Sequence, residues 1–245
     1  MKKLFVFTIS LILFFAPFAE ARRPVFNTFS KLGLVGYWSF NEGFGTAAYD
    51  YSGNRHNGQI GKALSFDGNN DYVNAGDIAA IDTATALTSC VWAYHQTITD
   101  DDAIIAKYVS DDGWVMLRDD VGSASGRTDE YTVYVADSAD TDSARIEGAT
   151  NSSPAKKWTF VCFTFQAGNA SGLRLYINGV EDANSPVSTS AVGAINAGTA
   201  ILSIGQYSDG VSSPFNGLID DVRVYNRVLS AMEVKNMYRA GLTTH

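Results

Sequence analysis

Two adjacent carboxylates, Asp220 and Asp221, interrupt a run that otherwise favours a β-strand, within the segment FNGLIDDVRVYNRVLS at 215–230. Two neighbouring negative charges in a half-buried strand are unfavourable unless something neutralises them, because a charge loses its hydration there. A bound cation, the guanidinium of Arg223 or plain solvent could do this. Since side chains alternate along a strand, the pattern predicts two faces. One face holds Leu218, Asp220, Val222 and Val224, and the other holds Ile219, Asp221, Arg223 and Tyr225.

Paired carboxylates are also the machinery of glycoside hydrolysis, in which two acidic side chains flank the scissile bond. Beyond Glu20, none of the glutamates has an acidic residue four or five positions further on; they are Glu42, Glu130, Glu147, Glu181 and Glu233. The histidines at 56, 95 and 245 are scattered, and the nucleophile motif G-x-S-x-G is missing from the sequence. The sequence therefore predicts a protein that is not an enzyme.

The chain is acidic, with 26 Asp and Glu against 18 Lys and Arg and a formal net charge of −8 at pH 7. An acidic protein binds nucleic acid and anionic membranes poorly, so neither is expected as a partner. Most of the acidic residues are aspartates. Aspartate is common in solvated turns and is also a calcium ligand, so this bias indicates many turns and leaves calcium binding open.

The first 21 residues have the pattern of a secretory signal peptide. A basic pair precedes an apolar run at 4–15, and Ala19-Glu20-Ala21 is typical of a cleavage site. The apolar run is too short to span a bilayer comfortably, although a retained anchor is the alternative. We therefore expect a secreted protein, in the medium, the periplasm or at the cell surface, without membrane insertion. The predicted organisation is a signal peptide at 1–21, a leader at 22–32 and one domain at 33–240.

Strand patterns follow one another along the rest of the chain, with Gly, Asn, Asp and Ser between them. Segments 119–130 and 137–157 are predicted loops, and Asn178-Gly179 predicts a hairpin turn. The capping box from Ser230 to Glu233 predicts a short helix to about Arg239. Many strands with almost no helix predict an all-β fold of two stacked antiparallel sheets, a jelly-roll sandwich with a short C-terminal helix. The predicted strands are 34–40, 62–66, 72–76, 88–95, 103–109, 113–118, 131–136, 158–166, 173–178, 200–205 and 218–225.

The two cysteines, Cys90 and Cys162, lie inside the apolar runs TSCVWAY and WTFVCFTF. In an exported protein such a pair is more often oxidised than free. We expect the two residues on neighbouring central strands of one sheet. A bridge between them would close a loop of about 70 residues and contribute about 4 kcal/mol to stability. A redox or metal role is not expected, because neither cysteine belongs to a CxxC motif.

Three segments in order resemble the laminin-G-like jelly rolls of the concanavalin A-like lectin and glucanase superfamily. They are LVGYWSF with GFGTAAYDYSGNRHNGQ, then GKALSFDGNNDYVNAG, and last FNGLIDDVRVYNRVLS. The chain also resembles pentraxins in the order of TSCVWAY, WTFVCFTF, ASGLRLYINGVE and AILSIGQYSDG, and this resemblance implies a Cys90–Cys162 disulfide. The superfamily resemblance implies binding of carbohydrates or protein surfaces, often with calcium, although some relatives are glycoside hydrolases.

The resemblance implies two places where calcium could bind. Pentraxins and laminin-G domains have calcium ligands at the rim of the sandwich, where this chain has Asp111, Asp112 and Asp209. The chain departs from the pentraxin pattern at Tyr207, which replaces a glutamate, so the double-calcium site of pentraxins is not expected and a single rim ion is left open. A solvated acidic loop is the alternative.

The second place resembles the structural calcium site of laminarinase-type glucanases. It implies Asp220 as the carboxylate ligand, Asn41 and Gly68 as carbonyl donors, and Asp50 as a further candidate. Asp50 could instead cap its own turn through an Asx hydrogen bond. Asp220 or Asp221 could likewise pair with Arg223 or a turn amide.

Sugar binding needs flat apolar surfaces next to a few polar groups. Trp114 begins a strand beside the predicted rim site, whereas the other tryptophans lie within strong strand patterns and are predicted core residues. Trp114, Arg118 and Tyr207 are therefore the predicted ligand platform, with packing in the core as the alternative.

The predicted function is a secreted, non-catalytic, lectin-like module that recognises a glycan or a protein surface, in which calcium could assist. One alternative is a structural or assembly subunit of an extracellular surface structure, in which exposed edge strands pair with another copy. Another is a degenerate glycoside hydrolase. The sequence leaves the glycan, the partner and the oligomeric state open.

Overall fold

The computed structural model describes residues 31–42, 47–60, 65–97, 101–109, 112–119, 129–137, 142–209, 212–243 and 245. The predicted signal peptide lies outside these residues, as does most of the predicted leader. The described part of the chain forms fifteen strands and one α-helix. They are β1 (Leu34–Trp38), β2 (Ala47–Ala48), β3 (Gly58–Ile60), β4 (Ser65–Asp67), β5 (Val73–Asn74), β6 (Ala86–His95), β7 (Asp102–Val109), β8 (Asp112–Asp119), β9 (Glu130–Ala136), β10 (Ser143–Glu147), β11 (Thr159–Gln166), β12 (Leu173–Ile177), β13 (Val180–Glu181), β14 (Ser203–Ile204), β15 (Asn216–Tyr225) and α1 (Ala231–Gly241).

The strands form two antiparallel sheets, which confirms the predicted all-β sandwich. The seven-stranded sheet has the order β1-β15-β6-β11-β12-β13, with β4 pairing additionally with β15. The eight-stranded sheet has the order β10-β9-β8-β7-β14-β5-β3-β2. Strands that are distant in the chain therefore become neighbours, as expected for a jelly roll. Among the described residues, no helix is long and apolar enough to cross a membrane.

The inward faces of both sheets supply one apolar core, because alternate residues of each strand point between the layers. In the seven-stranded sheet, Val91 of β6 and Phe163 of β11 point inward. Trp114 of β8 comes from the opposite sheet, and its ring lies 5.4 Å from that of Phe163, measured between centroids. Burying such side chains contributes roughly 2–3 kcal/mol each, so these contacts hold the two layers together.

All eleven predicted strands are present, and four further strands were not predicted. Three of the four, β2, β3 and β13, have only two or three residues, too few to show a periodic pattern. The fourth, β10, lies in the 137–157 segment that was predicted as a loop, so that prediction was wrong. Only Ala144 and Ile146 of β10 are buried, and the charged residues around them conceal the alternation.

The predicted faces of the last strand, β15, were also wrong. A β-bulge between Asp220 and Arg223 places Asp221 and Val222 opposite one residue of β6, so the alternation changes phase within the strand. Asp221 has a positive φ of 52°. Ile219, Val222 and Val224 consequently share the inner core, although Ile219 was predicted to lie opposite the two valines.

The hairpin and helix signals are both confirmed. Asn178 and Gly179 have φ values of 52° and 74° and join β12 to β13, as a two-residue hairpin turn requires. Ser230 is the N-cap of α1, and its hydroxyl oxygen accepts a hydrogen bond from the backbone N–H of Glu233, whose side chain accepts one in return from Ser230. The helix ends at Gly241, two residues beyond the predicted end.

The predicted disulfide between Cys90 and Cys162 is confirmed. The two cysteines face each other on β6 and β11, which are adjacent central strands of the seven-stranded sheet. The bridge lies on the outer face of that sheet, within a second apolar cluster that includes Trp92, Phe160 and Val234 of α1. Helix α1 thus covers the outer face of the seven-stranded sheet.

Candidate functional site

The outer face of the eight-stranded sheet carries an aromatic surface that no helix of the described chain covers. Ala106 of β7 and Val115 and Leu117 of β8 form its buried apolar base. Three partly buried tyrosines, Tyr108, Tyr134 and Tyr207, pack on this base. We call these six residues the tyrosine face.

The three phenol rings contact one another. The ring of Tyr108 lies edge-on to that of Tyr134, with centroids 5.7 Å apart, and its centroid is 5.6 Å from that of Tyr207. Aromatic pairs favour such tilted arrangements, and the mutual packing holds each ring in place. A set of fixed rings presents a ligand with an apolar surface that loses little conformational entropy on binding.

Hydrogen bonds to the backbone hold the loop that carries Tyr207 in place. The N–H of Tyr108 donates to the hydroxyl oxygen of Ser208 at 2.9 Å, and that hydroxyl donates to the carbonyl of Ala106 at 3.2 Å. The N–H of Tyr207 donates to the carbonyl of Ser212 at 3.2 Å. Tyr207 is therefore held beside β7 although it lies outside the strands.

Small residues stand next to the tyrosines in the strand register. Tyr108 is opposite Gly113, Gly113 is opposite Ala136, and Ala136 is opposite Ser143. Because these side chains are short and lie on the same side of the sheet as Tyr134, they form a shallow row beside its ring. Gly113 and Ala136 are themselves buried, so the row is covered and supports the neighbouring rings.

Charged groups border the tyrosine face on the side of β10. Arg145 lies opposite Tyr134 in register and forms a hydrogen-bonded ion pair with Asp119. Its Nε atom lies 2.9 Å from a carboxylate oxygen of Glu147. Arg145 and Glu147, with Asn184 and Val187, also line an open cleft of about 400 Å³. Hydrogen-bonding side chains next to apolar rings are the combination that carbohydrate recognition uses.

The pKa shifts of two groups show that these charges act on one another. Burial raises the pKa of Asp119, Asp101 and Glu147 raise it further, and Arg145 opposes the rise. Burial likewise raises the pKa of the Tyr207 phenol, Asp101, Asp119 and Asp209 add to the rise, and Arg145 opposes it. The phenol of Tyr207 is thus neutral at physiological pH.

The structure corrects two of the three members of the predicted ligand platform. Tyr207 does lie on the tyrosine face, but the side chain of Trp114 is fully buried between the sheets. Arg118 is also fully buried, and its guanidinium is 2.7 Å from a carboxylate oxygen of Asp129. Both prediction errors have one cause: Trp114 and Arg118 occupy inward positions of β8, and the sequence did not reveal which face of β8 points inward.

The predicted rim residues are only partly described. Asp111 lies outside the described residues, and Asp112 is the first residue of β8. Asp209 accepts hydrogen bonds from the N–H of Ser212 at 3.0 Å and from its hydroxyl at 2.5 Å, which closes the turn that follows Tyr207. Asp209 is therefore a turn residue, and the rim calcium remains a prediction.

Asp220 and Asp221 lie on the outer face of the seven-stranded sheet. Asp220 accepts a hydrogen bond from the N–H of Asp221 at 2.7 Å. Asp221 accepts one from the hydroxyl of Tyr37 at 2.6 Å and pairs with Arg223 at 3.2 Å. The imidazole of His245 approaches the two carboxylates at 3.6 and 3.8 Å. The alternative of a turn amide and an arginine partner is thus the arrangement found.

Asp50 forms the Asx turn that the sequence offered as an alternative. Its carboxylate accepts hydrogen bonds from the backbone N–H groups of Tyr37, Ser52 and His56 and from the hydroxyl of Ser52. These bonds fasten the turn after β2 to β1. Sequence reasoning recognised the turn but missed its long-range contact with Tyr37.

Of the two candidate carbonyl donors, the structure separates Gly68 from Asp220. The amide of Asn41 donates to the carbonyl of Ser39. Gly68 lies beside Asn216, four residues before Asp220, which corresponds to roughly 13 Å along an extended strand. Within the described residues, no group of three or more His, Cys, Asp or Glu side chains is arranged to hold a metal ion. The separation of Gly68 argues against Gly68 as a ligand, and calcium at Asp220 stays a prediction.

The sandwich with one covered and one aromatic outer face defines the class of protein, a lectin-type jelly roll. A sequence profile described as the concanavalin A-like lectin/glucanases superfamily, of the third laminin-G type, matches residues 67–235. Because the match covers more than half of the chain, the chain belongs to this family. A comparison with curated protein sequences gives no match.

Solved structures share the fold at low sequence identity. The binding domain of Paraclostridial Mosquitocidal Protein 1 superimposes with a TM-score of 0.63 at 15% identity, covering 84% of this chain and 52% of that one. Domain 4 of AbnA, an extracellular GH43 arabinanase from Geobacillus stearothermophilus, in complex with arabinotriose, gives 0.57 at 19% identity, covering 84% and 98%. The binding domain of botulinum neurotoxin DC, in complex with SialylT, gives 0.57 at 13% identity, covering 86% and 52%. This chain spans about half the length of the toxin domains it matches.

Proposed function

We propose that this chain is a non-catalytic carbohydrate-binding module that acts outside the cell and binds its glycan on the tyrosine face. The observation that carries the proposal is the contact among Tyr108, Tyr134 and Tyr207 on an outer sheet face, next to the ion-paired Arg145. Fixed aromatic rings beside charged hydrogen-bonding groups match the apolar faces and the hydroxyls of a sugar.

The comparisons support a binding role. The AbnA domain is matched over 98% of its length and was solved with arabinotriose, and the toxin relatives are named as binding domains. The Cys90–Cys162 disulfide supports an oxidising, extracellular location. The absence of an acidic partner near the glutamates in sequence supports a module without hydrolase chemistry.

The test is a glycan array followed by titration calorimetry with the best glycan. We expect Tyr207→Ala and Tyr108→Ala to weaken binding at least about tenfold, equivalent to about 1.4 kcal/mol. Tyr51→Ala is the control, because Tyr51 is an exposed tyrosine in the turn after β2, away from the tyrosine face. Full affinity in both variants would show that the glycan binds elsewhere, and a blank array would refute the carbohydrate function.

The proposal includes calcium only as an ion at the rim that assists glycan binding. If an ion binds at the rim, Asp112 and Asp209 are the described residues that would contribute carboxylates, and Asp111 would join them. The same titrations in calcium and in chelator test this. We expect calcium to tighten binding and Asp209→Asn to reduce the difference, whereas equal affinity in both buffers excludes a role for calcium in binding.

A further inference from the structure

We propose that a second pocket, on the outer face of the seven-stranded sheet, binds a neutral sugar residue independently of the tyrosine face. The pocket lies beyond the part of that face that α1 covers and has a volume of about 220 Å³. This is roughly seven times the volume that one water molecule takes in the liquid, which is enough for a single sugar ring. We call it the β11–β12 pocket. Its lining includes the hydrogen-bonding side chains of Thr164, Gln166, Asn169, Ser171 and Arg174 and the apolar side chain of Val228.

The floor of the β11–β12 pocket is part of the sheet itself. Thr164 of β11 and Arg174 of β12 lie opposite each other in register. Their chain neighbours Phe163 and Leu175 belong to the inner core, so Thr164 and Arg174 point outward. Two paired strands therefore hold two of the polar side chains in fixed positions, as a binding site needs.

The turn between β11 and β12 forms one wall, and its own hydrogen bonds hold it. The side-chain oxygen of Asn169 accepts a bond from the N–H of Ser171 at 2.8 Å. The N–H of Gln166 donates to the carbonyl of Gly172 at 2.9 Å. The buried hydroxyl of Thr189 lies 2.5 Å from the carbonyl oxygen of Gln166 and 3.1 Å from that of Asn169. This wall therefore needs no ligand to take its shape.

The segment between β15 and α1 forms the opposite wall. Thr88 of β6 is the register partner of Thr164 on the other side of β11. Its hydroxyl donates to the carbonyl of Arg227 at 2.7 Å and accepts from the N–H of Leu229 at 3.0 Å. These two bonds fix the residues on either side of Val228. A pocket with both walls fixed loses little conformational entropy when a ligand binds.

Two amide side chains of the lining keep hydrogen-bonding capacity for a ligand. The amide nitrogen of Gln166 donates to the carbonyl of Thr85 at 3.1 Å, which leaves the side-chain oxygen as an acceptor. Asn169 uses its oxygen within the turn, which leaves its amide nitrogen as a donor. The pocket thus offers donors and acceptors together, which is what sugar hydroxyls require because each of them donates and accepts.

Thr164 is the most deeply buried of these polar residues, with 1% of its surface exposed. Within the described part of the chain, its hydroxyl oxygen has no hydrogen bond of normal geometry. Burial raises the pKa of the neighbouring Tyr176 phenol, and the Thr164 hydroxyl opposes the rise without forming such a bond. A buried hydroxyl without a partner is unfavourable. A ligand oxygen that reaches the floor of the pocket would supply the missing partner.

The charges at the pocket favour a neutral ligand over an anion. The guanidinium of Arg174 lies 2.6 Å from a carboxylate oxygen of Glu181, and the same oxygen accepts from the hydroxyl of Ser185 at 2.9 Å. The positive charge of Arg174 thus already has its counter-ion. An anionic ligand would have to compete with Glu181, whereas a sugar hydroxyl can bond to a guanidinium N–H without breaking the pair.

The experiment follows amide NMR spectra of Tyr207→Ala, in which the tyrosine face is weakened, and of wild type. The probes are the methyl glycosides of glucose, galactose, arabinose and N-acetylglucosamine, with sodium sulfate as the anionic probe. We expect at least one glycoside to shift the resonances of Ser171, Gly172 and Val228 saturably and with equal affinity in the two proteins. Sulfate should not shift them.

Variants of two threonines on β11 locate the binding. Thr164→Val removes the floor hydroxyl at nearly constant volume and should weaken the glycoside at least about fivefold, the effect of one lost hydrogen bond. It should not lower the urea midpoint, because no protein hydrogen bond is lost. Thr159→Val is the matched control: Thr159 is also fully buried with an unpartnered hydroxyl in the described chain, but it alternates with Phe160 and faces the interior. We expect Thr159→Val to leave the affinity unchanged.

The outcomes separate this inference from the proposed function. If no glycoside shifts the pocket resonances, or if Thr164→Val and Thr159→Val have equal effects, the β11–β12 pocket is not a sugar site, and the tyrosine face is unaffected by that result. Binding of sulfate in place of the glycosides would overturn the neutral ligand class. If the glycan array is blank while a glycoside binds here in a Thr164-dependent manner, the tyrosine face is wrong and this inference stands.

Discussion

At the scale of single residues, the ionisation of Asp220 makes stability depend on pH. Burial and the neighbouring Asp221 raise the pKa of Asp220 to about 6 from an ordinary value of 3.8. Because the folded-state pKa is the higher one, the ionised carboxylate destabilises the fold above pH 6. This penalty disappears as the pH falls from about 6 towards 3.8.

Asp220→Asn should therefore stabilise the protein at pH 8 by about 2 kcal/mol, with no difference from wild type near pH 4. Asparagine can still accept the hydrogen bond from the N–H of Asp221. Urea denaturation at the two pH values, in chelator, measures the effect. Asp221→Asn is the matched control and should destabilise at pH 8, because Asp221 accepts from Tyr37 and pairs with Arg223.

The same variant also tests calcium at this position. If Asp220 ligates a structural ion, calcium raises the free energy of unfolding of wild type but not that of Asp220→Asn. The variant is then the more stable protein in chelator, and wild type is the more stable protein in calcium. An unchanged order in both buffers would rule out calcium at Asp220 and agree with the wide separation of Gly68 from this carboxylate.

At the scale of elements, α1 depends on its capping box. The hydrogen bond from Arg227 lowers the pKa of Glu233 to about 2, burial opposes this, and the hydrogen bonds from Ser230 add to it. Since the folded-state pKa lies below the ordinary 4.5, the stabilisation is complete above pH 4.5 and is lost as the pH falls towards 2.

Glu233→Gln should lower the free energy of unfolding by about 1 kcal/mol at pH 7, since the carboxylate is partly exposed and solvent screens its charge. The loss should shrink progressively below pH 4.5. Glu181→Gln breaks a comparable pair with Arg174 but caps no helix, so we expect a change below about 0.5 kcal/mol. Parallel thermal and urea titrations of both variants decide this; a loss independent of pH would contradict the electrostatic origin.

The element β15 requires glycine at position 217. Gly217 has a φ of 150°, and a Cβ there would lie 1.9 Å from the carbonyl oxygen of Tyr94 on β6. Gly217→Ala should thus separate two paired central strands and destabilise the protein by more than about 3 kcal/mol. Gly76→Ala is the control, because Gly76 also has a positive φ of 76° but open space around it, and about 1–2 kcal/mol is expected. Denaturation midpoints that do not separate the two variants would contradict the close approach.

The sequence predicts strand existence well because apolar alternation and turn residues are local signals. It fails where a local pattern depends on a distant partner. The bulge between Asp220 and Arg223 shifts the phase of β15 only because two of its residues lie opposite one residue of β6. Strand β10 was not predicted because its two buried residues are too few to show an alternating pattern. Its structure depends on pairing with β9.

The site was harder to predict than the fold, for the same reason. Tyr207 was identified from its place beside a loop, but Tyr134 and Arg145 join it through the pairing of β9 with β10. Arg118 carries a charge that normally indicates the surface, yet Asp129 allows it to be buried. Which face of a strand points inward is a property of the sandwich and not of the strand.

At the scale of the whole molecule, the outer faces of the two sheets differ. The seven-stranded sheet buries its outer face under α1 and carries the disulfide there, with Cys90 and Cys162 fully buried. The eight-stranded sheet leaves its outer face available for the tyrosine face. Under the proposed function, the disulfide and the binding surface lie on opposite sides of the sandwich, which predicts that the covalent bridge can be removed without loss of glycan binding.

The double variant Cys90→Ala/Cys162→Ala should lose about 4 kcal/mol, because the unfolded chain gains the freedom of a loop of 72 residues. A bridge that acts mainly on the unfolded state also predicts a larger denaturant m-value for the variant, whose unfolded chain is less compact.

Glycan affinity at a temperature where both proteins are folded should be equal. Wild-type protein under thiol reduction is the matched control and should behave like the variant. Wild-type stability of the variant would contradict the stabilising role of the bridge. A fall in glycan affinity while the sheets remain intact would contradict its independence from the binding surface.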